Sequence, residues 1–172
     1  MRSFFQPTSD LFAGLPFQAH ALQALATSPP IDAFAPEDGG SDFQQLVRWA
    51  RECTTVDDRL MVTGFFPELY FYSGRAFAGD RWSYAGFDNS PERQRIVVAQ
   101  IKSQSVPVVF ITADSSDTGI QQRWPALAAY LETSYRLAAK VPVQNDHVLA
   151  VLVSNSRIPS RYVPFRDLPC FN

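Results

Sequence analysis

The chain has 172 residues, a length that fits one domain and leaves little room for two. Apolar residues make up 46% and charged residues 19%, a balance that supports a folded core and excludes a disordered composition. The net charge is −2, and both signs are scattered along the chain. This distribution argues against a nucleic-acid-binding stripe and against a polybasic membrane anchor. No run of about 18 apolar residues is present, so the sequence predicts no membrane-spanning helix.

The first forty residues differ in composition from the rest of the chain. Proline and glycine interrupt any long element in this segment, at Pro7, Pro16, Pro29, Pro30, Pro36, Gly39 and Gly40. Apolar spacing predicts one short helix, over 17–26. We interpret residues 1–40 as a linker or N-terminal arm that covers part of the domain.

Helical spacing of apolar residues begins at Ser41, a good N-cap residue. The predicted buried face of this helix consists of Phe43, Leu46, Val47, Ala50 and Cys53. Asp57 and Asp58 then end the helix, and residues 59–64 are typical of a short buried strand.

Proline and glycine mark the bounds of the next elements. Pro67 suits the first turn of a short helix and Gly74 its C-terminal end. Residues 75–89 are aromatic and irregular. Ser90 and Pro91 start a second helix, whose predicted buried side consists of Ile96, Val97 and Ile101.

The remaining pattern predicts a strand at 108–111, a polar turn at 114–119 and a helix at 125–132. Two strands follow, at 135–141 and 147–153, and a turn at Asn145 and Asp146 makes them antiparallel. The tail, residues 156–172, shows no regular pattern. The sequence therefore predicts an α/β domain over 41–155. It is a three-layer sandwich with a small mixed sheet of about four strands and helices on both faces.

Cys53 and Cys170 are the two cysteines. Two cysteines do not form a disulfide framework in a domain of this size, so we expect two unpaired thiols. The alternative is a disulfide that pins the tail to the first helix, in an oxidising compartment.

One phrase of the sequence is distinctive: strand residues, then Pro67-Glu68-Leu69-Tyr70, and then Ser73-Gly74-Arg75. It resembles the start of the C-terminal extracytoplasmic domain of bacterial membrane glycosyltransferases, in the group of the protein-mannosyltransferases and aminoarabinose transferases. The similarity continues through the helix at 91–103 and through the "L-x-x-Y-L-x-x-x-Y"-like ending at 127–135. It covers roughly residues 41–153.

The resemblance implies a domain of the cell envelope that faces the periplasm or the outer surface. Its partner would be the membrane-embedded portion of an enzyme that takes sugar from a polyprenyl-phosphate donor. The transmembrane helices and the acidic catalytic loop of that family are not in this chain. We therefore expect a non-catalytic accessory domain with no catalytic residue, which contacts glycan or lipid-linked sugar. The alternatives are an independent soluble protein-binding module of the same fold and a small unrecognised enzyme.

Glu68, Tyr72 and Arg75 form the first candidate ligand-binding group. Helical spacing places Glu68 and Tyr72 on one face, with Arg75 three residues further on. A carboxylate, an aromatic ring and a guanidinium suit a sugar or a phosphate-sugar. The structural alternative is that Pro67 and Gly74 are caps and that Glu68 and Arg75 support the loop.

Asp80, Trp82 and Tyr84 form the second candidate group, in the aromatic loop. These side chains would bind an acceptor sugar or rest on a membrane surface. The structural alternative is that the aromatic rings fill the edge of the sheet. The sequence predicts no cofactor and no metal site, because the two histidines, His20 and His147, have no ligand-type neighbours at zinc spacing. The polar run 114–118 follows a strand end, where ligands bind in open α/β sheets, but a solvated turn suits it better.

Overall fold

The computed structural model describes residues 40–84, 89–113, 119–143 and 147–172. The arm up to residue 39, with its short helix at 17–26, lies outside these residues. So do the polar run 114–118 and the turn at Asn145 and Asp146. Among the described residues, no helix is both long and apolar enough to cross a bilayer.

Helices and strands alternate along the described chain. The helices are α1 (Gly40–Glu52), α2 (Pro67–Ser73), α3 (Pro91–Ser103), α4 (Gly119–Arg123) and α5 (Pro125–Ser134). The strands are β1 (Arg59–Val62), β2 (Ala76–Phe77), β3 (Val108–Thr112), β4 (Tyr135–Pro142), β5 (Val148–Ser154), β6 (Arg161–Val163) and β7 (Leu168–Cys170).

Five strands form the main sheet, in the order β2-β1-β3-β5-β4. β1 is parallel to both β2 and β3, whereas β5 is antiparallel to β3 and to β4. The predicted mixed α/β sheet is confirmed, with five strands instead of four. β4 contains a register shift between Leu137 and Ala139, which marks a bulge in this outer strand.

The central strands of the sheet, β1 and β3, are covered by helices on both faces. Residues that alternate along a strand point to opposite faces, so Leu60, Val108 and Phe110 lie on one side and Met61 and Val109 on the other. On the first side, the Trp49 ring of α1 meets the Phe110 ring edge-on at 6.3 Å. On the second side, residues of α3, α4 and α5 form one buried cluster with Met61 and Val109.

The predicted buried face of α1 is confirmed, since all five of its residues are buried. The prediction for α3 is wrong at one position. Ile96 is 38% exposed, and Gln94 occupies the buried face with Val97 and Ile101. Gln94 is tolerated there because its amide is hydrogen-bonded: Oε1 accepts from the Ala126 amide at 2.8 Å, and Nε2 donates to the Asn89 carbonyl at 2.8 Å.

The expectation of unpaired thiols is wrong, because Cys53 and Cys170 form a disulfide between residues 117 apart in sequence. The segment read as an irregular tail contains the antiparallel pair β6–β7. Its end is fastened to the end of α1: the Phe171 amide donates to the Cys53 carbonyl at 2.8 Å, and Trp49 Nε1 donates to the Pro169 carbonyl at 3.1 Å. Disulfides of this kind persist in oxidising compartments, so the bridge supports an extracytoplasmic setting.

Candidate functional site

The segment 67–75 builds a short helix and its exit. Pro67 begins α2, where a missing amide hydrogen costs nothing. The Ser73 hydroxyl donates to the Leu69 carbonyl, and Leu69 is fully buried. Gly74 has a φ of +68°, a left-handed conformation that favours glycine, and its amide donates to the Tyr70 carbonyl at 2.9 Å. The distinctive phrase of the sequence is therefore largely a fold-determining one.

Arg75 closes the C-terminal end of α1. Its Nε donates to Thr54 Oγ1 at 2.8 Å, and Nη2 donates to the carbonyls of Arg51 at 2.6 Å and Thr54 at 2.8 Å. Carbonyls in the last turn of a helix lack helical partners, and a cation there also complements the helix dipole. Burial lowers the pKa of Arg75. The Arg75 guanidinium thus holds the end of α1 to the exit of α2. Because its donors are used in these contacts, they are not free to bind a ligand.

Replacing Arg75 with alanine should lower the free energy of unfolding by about 2–3 kcal/mol, because several hydrogen bonds from a charged group are lost together. Arg75→Lys should recover less than half of this loss, since lysine keeps the charge but not the planar fork. Urea unfolding measures both. Arg95→Ala, which removes an exposed pair with Glu92, is the control and should stay within about 0.5 kcal/mol. Equal effects of the two alanine variants would contradict the structural role of Arg75.

Glu68 and Tyr72 remain on the surface of α2. Glu68 is partly exposed, and its carboxylate has no hydrogen bond or ion pair within the described part of the chain. The Tyr72 ring meets the Phe71 ring edge-on at 5.0 Å. No contact among the described residues joins Glu68 to Arg75, so the structure does not assemble these three side chains into one site.

Tyr84 belongs to the core. Its side chain is 3% exposed, its hydroxyl donates to the Ala78 carbonyl at 3.1 Å, and its ring meets Trp124 edge-on at 5.3 Å. Burial raises the pKa of Tyr84. Tyr84 therefore packs within the domain, as in the alternative that the aromatic rings of this loop are structural. Almost none of its side chain is accessible to a ligand.

Asp80 is the centre of a charged cluster. Its carboxylate accepts from Arg81 Nε at 3.0 Å and also pairs with the Arg93 guanidinium from the first turn of α3. The Arg81 guanidinium lies 5.3 Å from the centre of the Trp124 ring, a cation–π contact. These contacts fix the loop 79–84 against α3 and the core, so they position the neighbouring Trp82.

Trp82 is the predicted residue that the structure leaves available. It is partly exposed, and its ring meets the ring of Phe65 edge-on at 4.9 Å. Phe65 is 70% exposed, which is unusual for phenylalanine in a folded domain. The sequence reasoning missed Phe65. Its position directly after a buried strand, at the edge where α/β sheets bind ligands, is the signal that could have indicated it.

The Phe65–Trp82 pair lies at the carboxyl end of β1. The Tyr84 amide donates to the Thr63 carbonyl at 3.3 Å and so anchors the loop that carries Trp82 to this end. β1 leads into α2, which packs with α1, whereas β3 leads toward α4 and α5, and α5 packs with α3 on the opposite face. Neighbouring parallel strands whose chains leave toward opposite faces define a crevice at their carboxyl ends.

Gly64 permits a close approach of the two strand ends. A Cβ at this position would lie 2.3 Å from Thr112 Oγ1, so any larger residue would displace the Thr112 side chain or the strand end that carries it. The Thr112 amide donates to Thr63 Oγ1 at 3.2 Å, which joins the same two strand ends. The ends of β1 and β3 therefore lie close together beside Phe65.

Asp58 is a second residue whose importance the sequence did not indicate. Its carboxylate is 1% exposed and accepts from the Thr55 amide at 2.8 Å, from the Ser105 hydroxyl and from Arg157 Nη2 at 2.9 Å. Burial raises the pKa of Asp58, but these hydrogen bonds and the charge of Arg157 outweigh burial, so the pKa lies below its usual value. Asp58 joins α1, β1 and the segment after β5, at the end of the sheet opposite to the aromatic pair.

Comparison with models of protein families, with curated proteins and with solved structures finds no match to this chain. The described residues also contain no group of three or more histidine, cysteine, aspartate or glutamate side chains placed to hold a metal ion. The arguments on function therefore rest on the site itself.

Proposed function

We propose that the chain is an extracytoplasmic accessory domain of a polyprenyl-phosphate-sugar-dependent membrane glycosyltransferase, and that it binds glycan without catalysing transfer. The observation that carries this proposal is the exposed Phe65–Trp82 pair at the carboxyl end of β1. Rigid aromatic rings bury much apolar area at little entropic cost, and the C–H faces of sugar rings suit them. The charged cluster around Asp80 fixes the loop that carries Trp82, which holds the ring in place before a ligand binds.

The disulfide supports the extracytoplasmic part of the proposal. A bond between two buried cysteines, Cys53 and Cys170, requires an oxidising environment to form and persist. Attachment to a membrane-embedded partner is proposed from the resemblance of segment 67–75 to membrane glycosyltransferases.

The contacts of Ser73, Gly74 and Arg75 give these residues roles in the fold and give no support to a catalytic role. Ser73 donates a hydrogen bond to a carbonyl of α2, Gly74 provides the left-handed exit of this helix, and Arg75 binds carbonyls at the end of α1. This is why we propose an accessory role and place ligand binding at the aromatic pair.

Binding of the purified domain to an array of immobilised oligosaccharides tests the proposal. Trp82→Ala should weaken binding about tenfold or more, since it removes half of the aromatic platform. Phe71→Ala is the matched control: it removes an aromatic ring that is 75% exposed on α2, and it should leave binding unchanged. Absence of binding by the native domain, or equal losses in both variants, would contradict a glycan site at Trp82.

The proposed membrane attachment is tested separately, by sequencing the natural reading frame upstream of this chain. A frame that runs upstream into many apolar helices supports the accessory domain. A complete frame without them favours the independent binding module. If the purified chain turned over a polyprenyl-phosphate sugar and Glu68→Gln abolished the turnover, the small-enzyme alternative would replace our proposal.

A further inference from the structure

An apolar groove opens on the face of the sheet that α3, α4 and α5 cover. Its volume is about 280 Å³, close to the lower end of the range for small-molecule pockets, about 300 Å³. The groove lies between α4, α5 and the outer part of the sheet, far along the sheet from β2. Its lining includes Ala128, Glu132, Tyr135, Leu137 and Leu152.

The groove exists because the sheet extends beyond the helices. The strand residues at the centre of the buried cluster on this face are Met61 of β1 and Val109 of β3, whereas Leu137 lies on the edge strand β4, paired with Leu152 of β5. Leu137 is 54% exposed, so an apolar side chain of the floor still faces solvent. A ligand that covers it would gain the free energy of removing this apolar surface from water.

The polar groups at the groove are few. The Tyr135 hydroxyl is not available, since it donates to the Val106 carbonyl at 3.0 Å. Glu132 is the one charged residue of the lining, and its carboxylate has no ion pair or hydrogen bond among the residues that the structure describes. Lys140 lies on the same face of the sheet but does not line the groove. The groove therefore combines an apolar floor with an unpaired negative charge at its margin.

We propose that this groove binds an amphiphilic amine, an apolar chain of about eight carbons that ends in a protonated amino group. The volume sets an upper limit to the length: at about 30 Å³ for a group of the size of water, 280 Å³ holds no more than about nine such groups. The Glu132 carboxylate sets the charge of the head group. This site is separate from the aromatic pair, and the inference does not depend on the glycan-binding proposal.

A series of n-alkylammonium ions from butyl to decyl, titrated below their micelle concentrations, tests the inference. Each added methylene should tighten the dissociation constant about fourfold, the effect of burying one such group, until the chain fills the groove near eight carbons. The matched n-alkanoates should bind about threefold to tenfold more weakly, because the exposed Glu132 attracts ammonium groups and repels carboxylates. Equal affinity of the two series, or tighter binding of the alkanoates, would overturn the proposal.

Variants locate the binding. Leu137→Ser changes an exposed position and should weaken octylammonium binding about tenfold, and Ala128→Leu should fill the groove with a similar loss. Glu132→Gln should leave octylammonium no tighter than octanol. Ile158→Ser, at a residue that is 90% exposed and outside the groove, is the control and should bind normally. Unchanged binding in Leu137→Ser would contradict the proposed site. Tighter binding of acetyl-leucyl-lysine amide, a short peptide with an apolar and a cationic side chain, than of octylammonium would contradict the proposed ligand class.

Discussion

Val109→Asp is expected to abolish cooperative folding of the domain. Val109 is fully buried in β3, between Met61 of β1 and Leu152 of β5. The substitution would place an unpaired carboxylate in the cluster under α3 and α5, at a cost above about 4 kcal/mol. A typical domain has only about 5–15 kcal/mol of stability, so most of it would be lost.

Urea unfolding followed by fluorescence measures this effect. Val56→Asp is the control, because Val56 is 78% exposed and the same chemical change there should stay within about 0.5 kcal/mol. A Val109→Asp protein that unfolds cooperatively with a midpoint near that of the native protein would show that β3 is not the centre of the sheet.

Removal of the disulfide is expected to cost up to about 5 kcal/mol. The bridge closes a loop of more than a hundred residues, and in the chain-entropy model a loop of this size restricts the unfolded state by about that amount. The double variant Cys53→Ala with Cys170→Ala should therefore melt at a clearly lower temperature. Reductant should have the same effect on the native protein.

The controls for this prediction are chemical. Reductant should not change the melting temperature of the double variant, since it has no bridge to lose. Thiol titration of native protein, denatured without reductant, should find neither Cys53 nor Cys170 free. Two titratable thiols in protein prepared under oxidising conditions would contradict the bridge.

The local sequence pattern was sufficient to predict the elements whose apolar residues recur at regular spacing. The spacing of Phe43, Leu46 and Ala50 predicts the buried face of α1, and the unbroken apolar run in β3 predicts its place within the sheet. Pro67 and Gly74 predict both ends of α2 because each residue has a backbone property that suits that position.

Features that depend on distant partners were not predictable in this way. The disulfide and the β6–β7 pair depend on the end of the chain returning to α1, and no local spacing encodes this return. Gln94 is buried because the amide of Ala126, 32 residues away, donates to its side chain. Without that contact, a glutamine in a helix indicates the side that faces solvent.

In the candidate site, too, the local sequence predicted some features, and contacts with distant residues determined the others. The aromatic loop was indicated by composition, but composition does not separate Trp82, which reaches the surface, from Tyr84, which lies in the core. Their separation follows from contacts with Phe65 in one case and with Ala78 and Trp124 in the other. Arg75 likewise has the chemistry of a phosphate ligand, and only its contacts with α1 show a structural role.

The two outer strands of the main sheet also bear on how the molecules behave at high concentration. An open strand edge presents unpaired amides and carbonyls to which a neighbouring molecule can add. At one edge, β2 has only two residues. At the other, β4 carries the bulge after Leu137, and Lys140 and Pro142 follow it. A short strand, a bulge, a charge and a proline each disfavour strand addition, so these edges protect the folded domain against growth of its sheet into aggregates.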